Sequence, residues 1–239
     1  MRATLLVLML ALAAPAEAGL RATYFDAGKT RALVIEVADN GDARIGEADS
    51  SDYGLMIGDR FYVIGDKEGM PMVADIADVG AAIDRIMPPI FGDLLRAPDA
   101  AAVATGLKLT PDGGRSVGGH TGTIYHVKGL DTSDPAKTID YVISREASLV
   151  PVGRALERFM NSALVPAAPL VGPAIKTIIA ETRAIFALGT PIDVGGRFLL
   201  DRVETVDVPA NRLKLPATPQ TVDQLAAAMK TEQAEDAHR

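Results

Sequence analysis

The sequence predicts an α+β protein: a curved antiparallel sheet, wound as a half-barrel, with helices covering one face. Three observations predict it. Residues 20–73 read as strand after strand with turn chemistry between. Two segments of helical period, 149–163 and 173–186, follow a later pair of strands. In the hairpin around Gly58-Asp59 both faces are apolar, with Tyr53, Leu55, Tyr62 and Ile64 on one and Met56, Phe61 and Val63 on the other. An antiparallel sheet with one wet face alternates polar and apolar residues. This hairpin therefore needs cover on one side and either cover or a cavity on the other.

At the N-terminus, Arg2, the apolar run 5–14 and Ala16-Glu17-Ala18 before Gly19 form the three parts of a secretory signal peptide over residues 1–18. The run is too short to span a bilayer and no later segment replaces it, so the mature chain is expected to carry no integral membrane span. Its expected location is periplasmic or secreted. One domain is expected over residues 19–230, with 231–239 as a charged, frayed tail.

Asp39-Asn40-Gly41-Asp42 separates segments 33–38 and 43–48, and Asn-Gly accepts the positive φ of a tight type I′ turn. A two-residue loop there pairs Val37 with Arg44 and Ile35 with Gly46. The next hairpin pairs Met56 with Phe61 and Leu55 with Tyr62. Residues 75–87 change to helical period through Ile76, Val79, Ile83 and Ile86, and Pro88-Pro89 ends the run. A weaker helical pattern in 90–104 centres on Phe91, Leu94 and Leu95. Residues 111–119 are rich in turn formers, and strands at 121–128 and 137–144 bring the meander to about seven.

Leu149, Val152, Leu156, Phe159 and Ala163 then line one helical stripe. Pro173 opens a second helix that stops at Gly189 and Pro191. The Pro- and Ala-rich connector 163–172 reads as a loop or lid. The chain closes with a strand over 197–206, a turn at Val208-Pro209, a short strand over 213–216 and a helix over 221–230, where Thr221 and Gln224 have capping-box spacing.

The net charge of −7 and a pI near 5.0, with no cluster of Lys or Arg, exclude nucleic acid as an expected partner. With no cysteine, neither a disulfide nor a lipoprotein anchor is available. Stability must come from burial, for which a hydrophobic content of 48 % suffices.

The densest polar cluster, residues 111–122, contains Ser116 and His120 among glycines. Those glycines lack the Gly-Lys-Ser/Thr of a phosphate loop and read as turn residues. A hydrolase using Ser116 or His120 is the enzyme alternative, and it requires a carboxylate within reach of His120 or His126. Three histidines without cysteine give no metal set. Asp39 to Asp42 lacks the spacing of a calcium loop, and Asp75, Asp78 and Asp84 describe a solvated helix face. No catalytic residue, metal or cofactor is assigned.

The apolar residues offer the ligand hypothesis. If the connector and its helices roof the curved sheet, Tyr53, Leu55, Tyr62, Ile64, Tyr125, Tyr141, Phe159 and Phe186 line a pocket for a lipid or acyl chain. A filled core is the other reading.

The exported N-terminus, the early meander with Asn40-Gly41 and the two-helix insertion before Leu188-Gly189-Thr190-Pro191 carry a likeness. So does the ending Leu199-Leu200-Asp201-Arg202-Val203, Val208-Pro209 and Leu213-Lys214-Leu215-Pro216. In these features the chain resembles the LolA- and LolB-like periplasmic lipoprotein-carrier superfamily and related exported domains of unknown function. The resemblance implies a half-barrel whose helices shield acyl chains. The chain departs from the carriers in having no Trp and few aromatics, and their lid Arg has no assignable counterpart. The expected function is a soluble, non-enzymatic envelope protein that binds an apolar ligand. An envelope protein-interaction scaffold is the alternative.

Overall fold

A computed structural model describes residues 18–67, 69–87, 107–130, 134, 136–164, 166 and 174–236. Residues 1–17 of the expected signal peptide over 1–18, the pattern around Phe91, Leu94 and Leu95, connector residues 165 and 167–172, Pro173 and His238 lie outside the described residues.

The first six strands are β1 (Ala18–Asp26), β2 (Ala32–Val37), β3 (Ala43–Glu47), β4 (Tyr53–Ile57), β5 (Arg60–Lys67) and β6 (Met70–Asp75). Helix α1 (Ile76–Ile86) follows directly. Then come β7 (Lys108–Val117), β8 (His120–Lys128) and β9 (Thr138–Ser144), helices α2 (Val150–Ala163) and α3 (Ala174–Phe186), strands β10 (Thr190–Val194) and β11 (Phe198–Asp207), and helix α4 (Val222–Asp236). All eleven strands join one open sheet in the order β6-β5-β4-β3-β2-β1-β11-β10-β9-β8-β7, and every neighbouring pair is antiparallel. The expected α+β architecture of a curved antiparallel sheet with helices is the one observed.

Bulges bend the sheet at Thr23/Tyr24 of β1, between Pro191 and Asp193 of β10, and between Asp112 and Gly114 of β7. Strands β10 and β11 share only the pairs Asp193↔Leu199 and Val194↔Phe198, so the sheet parts beyond them. Tyr24 spans that seam, its hydroxyl donating to the Pro191 carbonyl at 3.0 Å. Burial pushes the Tyr24 hydroxyl far above its ordinary pKa and keeps it a donor.

Several sequence expectations need correction. The β2–β3 register is Val37↔Ala43 and Ile35↔Ile45, one residue from the expected pairing. The loop holds three residues: Gly41 N–H donates to Ala38 O, Ala38 N–H to Asp42 O, and Gly41 takes φ +85°. This is a turn closed by a left-handed glycine rather than the two-residue form. The Gly58-Asp59 hairpin has its expected register, Met56↔Phe61 and Leu55↔Tyr62.

Residues 111–117 are strand, not turn, because an edge position tolerates Pro111, and Gly113 at φ +48° forms the bulge. The sequence pattern places no strand at Thr190–Val194, where β10 lies, and the meander up to residue 144 holds nine strands rather than about seven. Residues 210–213 form a 3-10 turn in place of the expected final strand. That segment crosses strands whose edges are already paired, so it has no ladder to join. Instead Leu213 packs with Val208, Leu55, Tyr62 and Ile64.

Both faces of the β4–β5 hairpin are thereby covered except at Val63, which is 40 % exposed on the face of Met56 and Phe61. Met56 and Phe61 belong to a cluster with Leu149, Val152 and Ala155 at the start of α2, while Leu55, Tyr62 and Ile64 lie under residues 208–213 on the opposite face. Gly54 makes room for this: a Cβ there would lie 2.4 Å from the Phe61 ring. Phe61 in turn meets Phe159 of α2 edge to face at 5.4 Å, a contact worth about 0.5–1.5 kcal/mol beyond its buried area. Glu36, also on the outer face, is 2 % exposed between Arg21, whose Nη2 is 2.7 Å away, and Arg212, which ties the crossing segment to β2 at 2.9 Å.

Candidate functional site

Helix α2 is the element around which open space gathers. Its apolar stripe docks on the sheet, and Gly153 permits a close crossing of β10, since a Cβ there would meet Thr190 Oγ1 at 2.3 Å. That hydroxyl donates to Leu149 O at 2.9 Å, fixing the start of the helix. Farther along, Arg158 Nη1 donates to Gly41 O at 2.9 Å. The β2–β3 turn is itself stiffened from within, because Asp42 N–H donates to Asn40 Oδ1 and Asp42 Oδ1 accepts from Gly58 N–H. The helix is thus pinned at two points along its length.

A cleft opens on each flank. One, of about 570 Å³, is lined by the apolar Leu20, Val37, Pro151 and Ala155, with Asp39, Arg154 and Arg158 among its polar residues. The other, of about 360 Å³, lies between α2 and the end of α3 and is lined by Val150, Gly153, Phe186 and Leu188, with Arg145 and Glu157 beside them. A third cleft, of about 490 Å³, is charged: Asp26, Lys29, Arg115, Asp193 and Asp201 surround it at the tip of the β7–β8 hairpin. There Asp193 is buried, ion-paired with Arg115, and accepts from Gly196 N–H at 2.7 Å. Hydrogen bonds from the Thr30 hydroxyl and the backbone of Arg31 and Thr30 hold the Asp26 carboxyl below its ordinary range.

The eight expected pocket residues are not brought together. Leu55, Tyr62 and Ile64 are core residues beneath the 208–213 segment, and Tyr53 packs at the margin of that cluster with Arg44 4.0 Å above its ring. Phe159 lies on the opposite face of the sheet from Tyr62. Tyr125 and Tyr141 face each other across β8 and β9 in a third cluster with Ile143 and Ile185, and burial raises the Tyr141 hydroxyl. Phe186 alone among the eight lines one of the three clefts above. The cleft residues Arg154 and Arg158 were not singled out from sequence; their signal was a pair of cations on an apolar-striped helix of an acidic chain.

Both histidines on β8 have the carboxylate that the enzyme alternative requires. His120 Nδ1 lies 2.7 Å from Glu146 Oε2, and Thr121 N–H donates to Glu146 Oε1 at 2.7 Å. Those two contacts, the imidazole's first, hold the Glu146 carboxyl below its ordinary range. A base so oriented needs a nucleophile on its own side. The register pairs Ser116 with Thr121 and Val117 with His120, so Ser116 and His120 project from opposite faces of the hairpin. His126 contacts Asp140 at 2.7 Å and Asp112 at 3.2 Å. Among the described residues no three His, Asp or Glu side chains are arranged to hold a metal ion, and no helix is long and apolar enough to cross a membrane.

No protein-family model matches the chain, and no curated protein matches it. Among solved structures, one described as the crystal structure of MucB is similar at 12 % identity and a TM-score of 0.36, over 86 % of this chain and 60 % of that one. The chain therefore spans about 60 % of the length of that protein. A likeness of this size assigns neither fold nor role.

Proposed function

We propose that this is an exported, non-enzymatic binding protein whose ligand is an apolar molecule such as a lipid or acyl chain, held beside α2. The observation that carries the reading is the 570 Å³ cleft, whose lining joins apolar residues to two arginines, Arg154 and Arg158, and one carboxylate, Asp39. Its volume falls within the roughly 300–1,000 Å³ of small-molecule sites. The space beneath α2 is filled where Phe61 meets Phe159, so the ligand lies along the helix flank and not under a roof. The secretory pattern of residues 1–18 supports export, and the resemblance to lipoprotein carriers supports this class of cargo.

The test is uptake of a fluorescent polyene fatty acid by the purified chain, with native mass spectrometry for co-purified lipid. Ser148 is exposed at the wall of this cleft, and Ala187 is exposed at the second. Ser148→Trp should weaken uptake about tenfold, a loss of ~1.4 kcal/mol, while Ala187→Trp leaves it unchanged. Absence of uptake by the unmodified chain rejects the reading. A protein-interaction scaffold is the second reading, favoured by β7, an edge strand exposed at every residue from Thr110 to Ser116. Strand addition of an extended peptide, read by crosslinking from position 116, distinguishes it.

A further inference from the structure

The two ring nitrogens of His126 each face a carboxylate on a different strand. Nδ1 is 2.7 Å from Asp140 Oδ1 on β9, and Nε2 is 3.2 Å from Asp112 Oδ2 on the edge strand β7. Ionised carboxylates only accept, so both contacts are hydrogen bonds only when both nitrogens carry a proton. A neutral imidazole can donate to one and must present a lone pair to the other. The arrangement is thus complete in the imidazolium and self-contradictory in the neutral ring.

Asp112 occupies a particular place on its strand. It is the last residue before the bulge at Gly113, where the β7–β8 register shifts. The bulge divides β7 into a first half, 108–112, reached by His126, and a second half, 114–117, held by the ion pair of Arg115 with buried Asp193. The second fastening is an Arg–Asp pair with no imidazole in it.

We propose that His126 is a pH-operated clasp: its imidazolium bridges Asp112 and Asp140 and fastens the first half of β7 to β8 and β9, and loss of one proton releases that half alone. The remaining charged or titratable groups on the same face of these strands are Lys108 and Lys128, which stand opposite each other, Arg115, ion-paired with Asp193, and His120, whose ring meets Glu146. Both lysines oppose protonation, and the two nearer carboxylates outweigh them. Asp140 first and Asp112 second raise the His126 pKa above its ordinary value. A raised native pKa means that the fastening is fully present below the ordinary imidazole value and is lost as pH rises through the native one. The clasp is therefore closed in acid and open in alkali. This inference is independent of the ligand proposed above.

The experiment is amide exchange on the isotopically labelled full chain between pH 5 and 8.5, corrected for the intrinsic pH dependence of exchange, together with imidazole titration by NMR. Protection of Thr110 and Asp112 relative to Arg115 should fall roughly two- to fivefold as His126 deprotonates, the size expected of an exposed ion pair. Asp140→Asn and Asp112→Asn should each lower the His126 midpoint, Asp140→Asn more. His126→Gln should abolish the pH response of the ratio. Equal response of the two halves, a His126 midpoint at or below the ordinary value, or a response that persists in His126→Gln would each overturn the proposal. If His126→Gln does not fold, the unmodified chain's exchange ratio and the Asp112→Asn midpoint decide between the same outcomes.

Discussion

The two edges of the sheet are finished in opposite ways. At β6 the edge is roofed over its second half, Val73 to Asp75, while Met70 and Pro71 stay exposed: Gln220 N–H donates to Val73 O at 2.8 Å, and α1 and α4 close over the end of the strand through Leu225, Ala226 and Ala82. Asp75 completes the corner, buried as the N-cap of α1, accepting from Ala77 N–H at 2.9 Å and from Arg60 Nε at 2.6 Å. At β7 nothing among the described residues covers the strand, and all of 110–116 is exposed. That edge is protected by what it lacks. Pro111 has no N–H to offer, the Gly113 bulge breaks the repeat, and ion pairs reach it from inside the sheet. One edge is shielded by apolar packing, the other by local backbone chemistry, and the two should fail differently.

The largest effect is expected at the roofed edge. Leu225 is 6 % exposed, and Leu225→Ala should lower unfolding stability by about 2–5 kcal/mol in urea melts, with loss of amide protection in β6. At the bare edge, Gly113→Ala places a side chain at φ +48° and should cost about 1–2 kcal/mol by the same measurement. A cost for Gly113→Ala equal to that of Leu225→Ala would erase the distinction between the edges. Returning to the roof, Thr221→Ala removes the hydroxyl that caps Gln224 N–H at 3.3 Å and should cost about 1 kcal/mol. The smallest change in stability, within about 0.5 kcal/mol, is expected for Pro111→Val. That substitution restores an edge donor, so concentration-dependent self-association in the ultracentrifuge should appear, and its absence would show that Pro111 does not guard the strand.

The same contrast explains what could be read in the sequence. The roofed half announces itself through local chemistry: Gly58-Asp59 sets its register, and the Thr221/Gln224 box opens α4, where Thr221 N–H donates to Gln224 Oε1 at 2.9 Å. Asp75, expected on a solvated helix face, is instead the buried N-cap of α1. Even there, the left-handed Gly41 shifted one register by a residue, because loop length and not loop composition sets the pairing. The bare half is built from residues that locally mean turn. Pro111, Gly113 and Gly114 are strand only because an edge forgives them, and Thr190–Val194 is strand only because β9 and β11 stand on either side. The partners of the histidines were hidden for the same reason. Asp140 and Glu146 lie 14 and 26 residues from the rings they meet, distances that only a strand register can close. Pairing the two expected strands across residues 129–136 brings Asp140 within one position of facing His126, so part of that signal was present.

The position of β11 has a consequence for how the molecule is made. It sits between β1 and β10, next to a seam where Tyr24 and Pro191 meet across 167 residues of chain. The middle of the sheet should therefore be stitched last, after the local hairpins of both flanks, and closing so long a loop is expected to be the slow event of folding. Until it happens, two ribbons with raw inner margins coexist, each a template for a neighbour's strand. A newly made chain should need an escort during that interval more than at any later time.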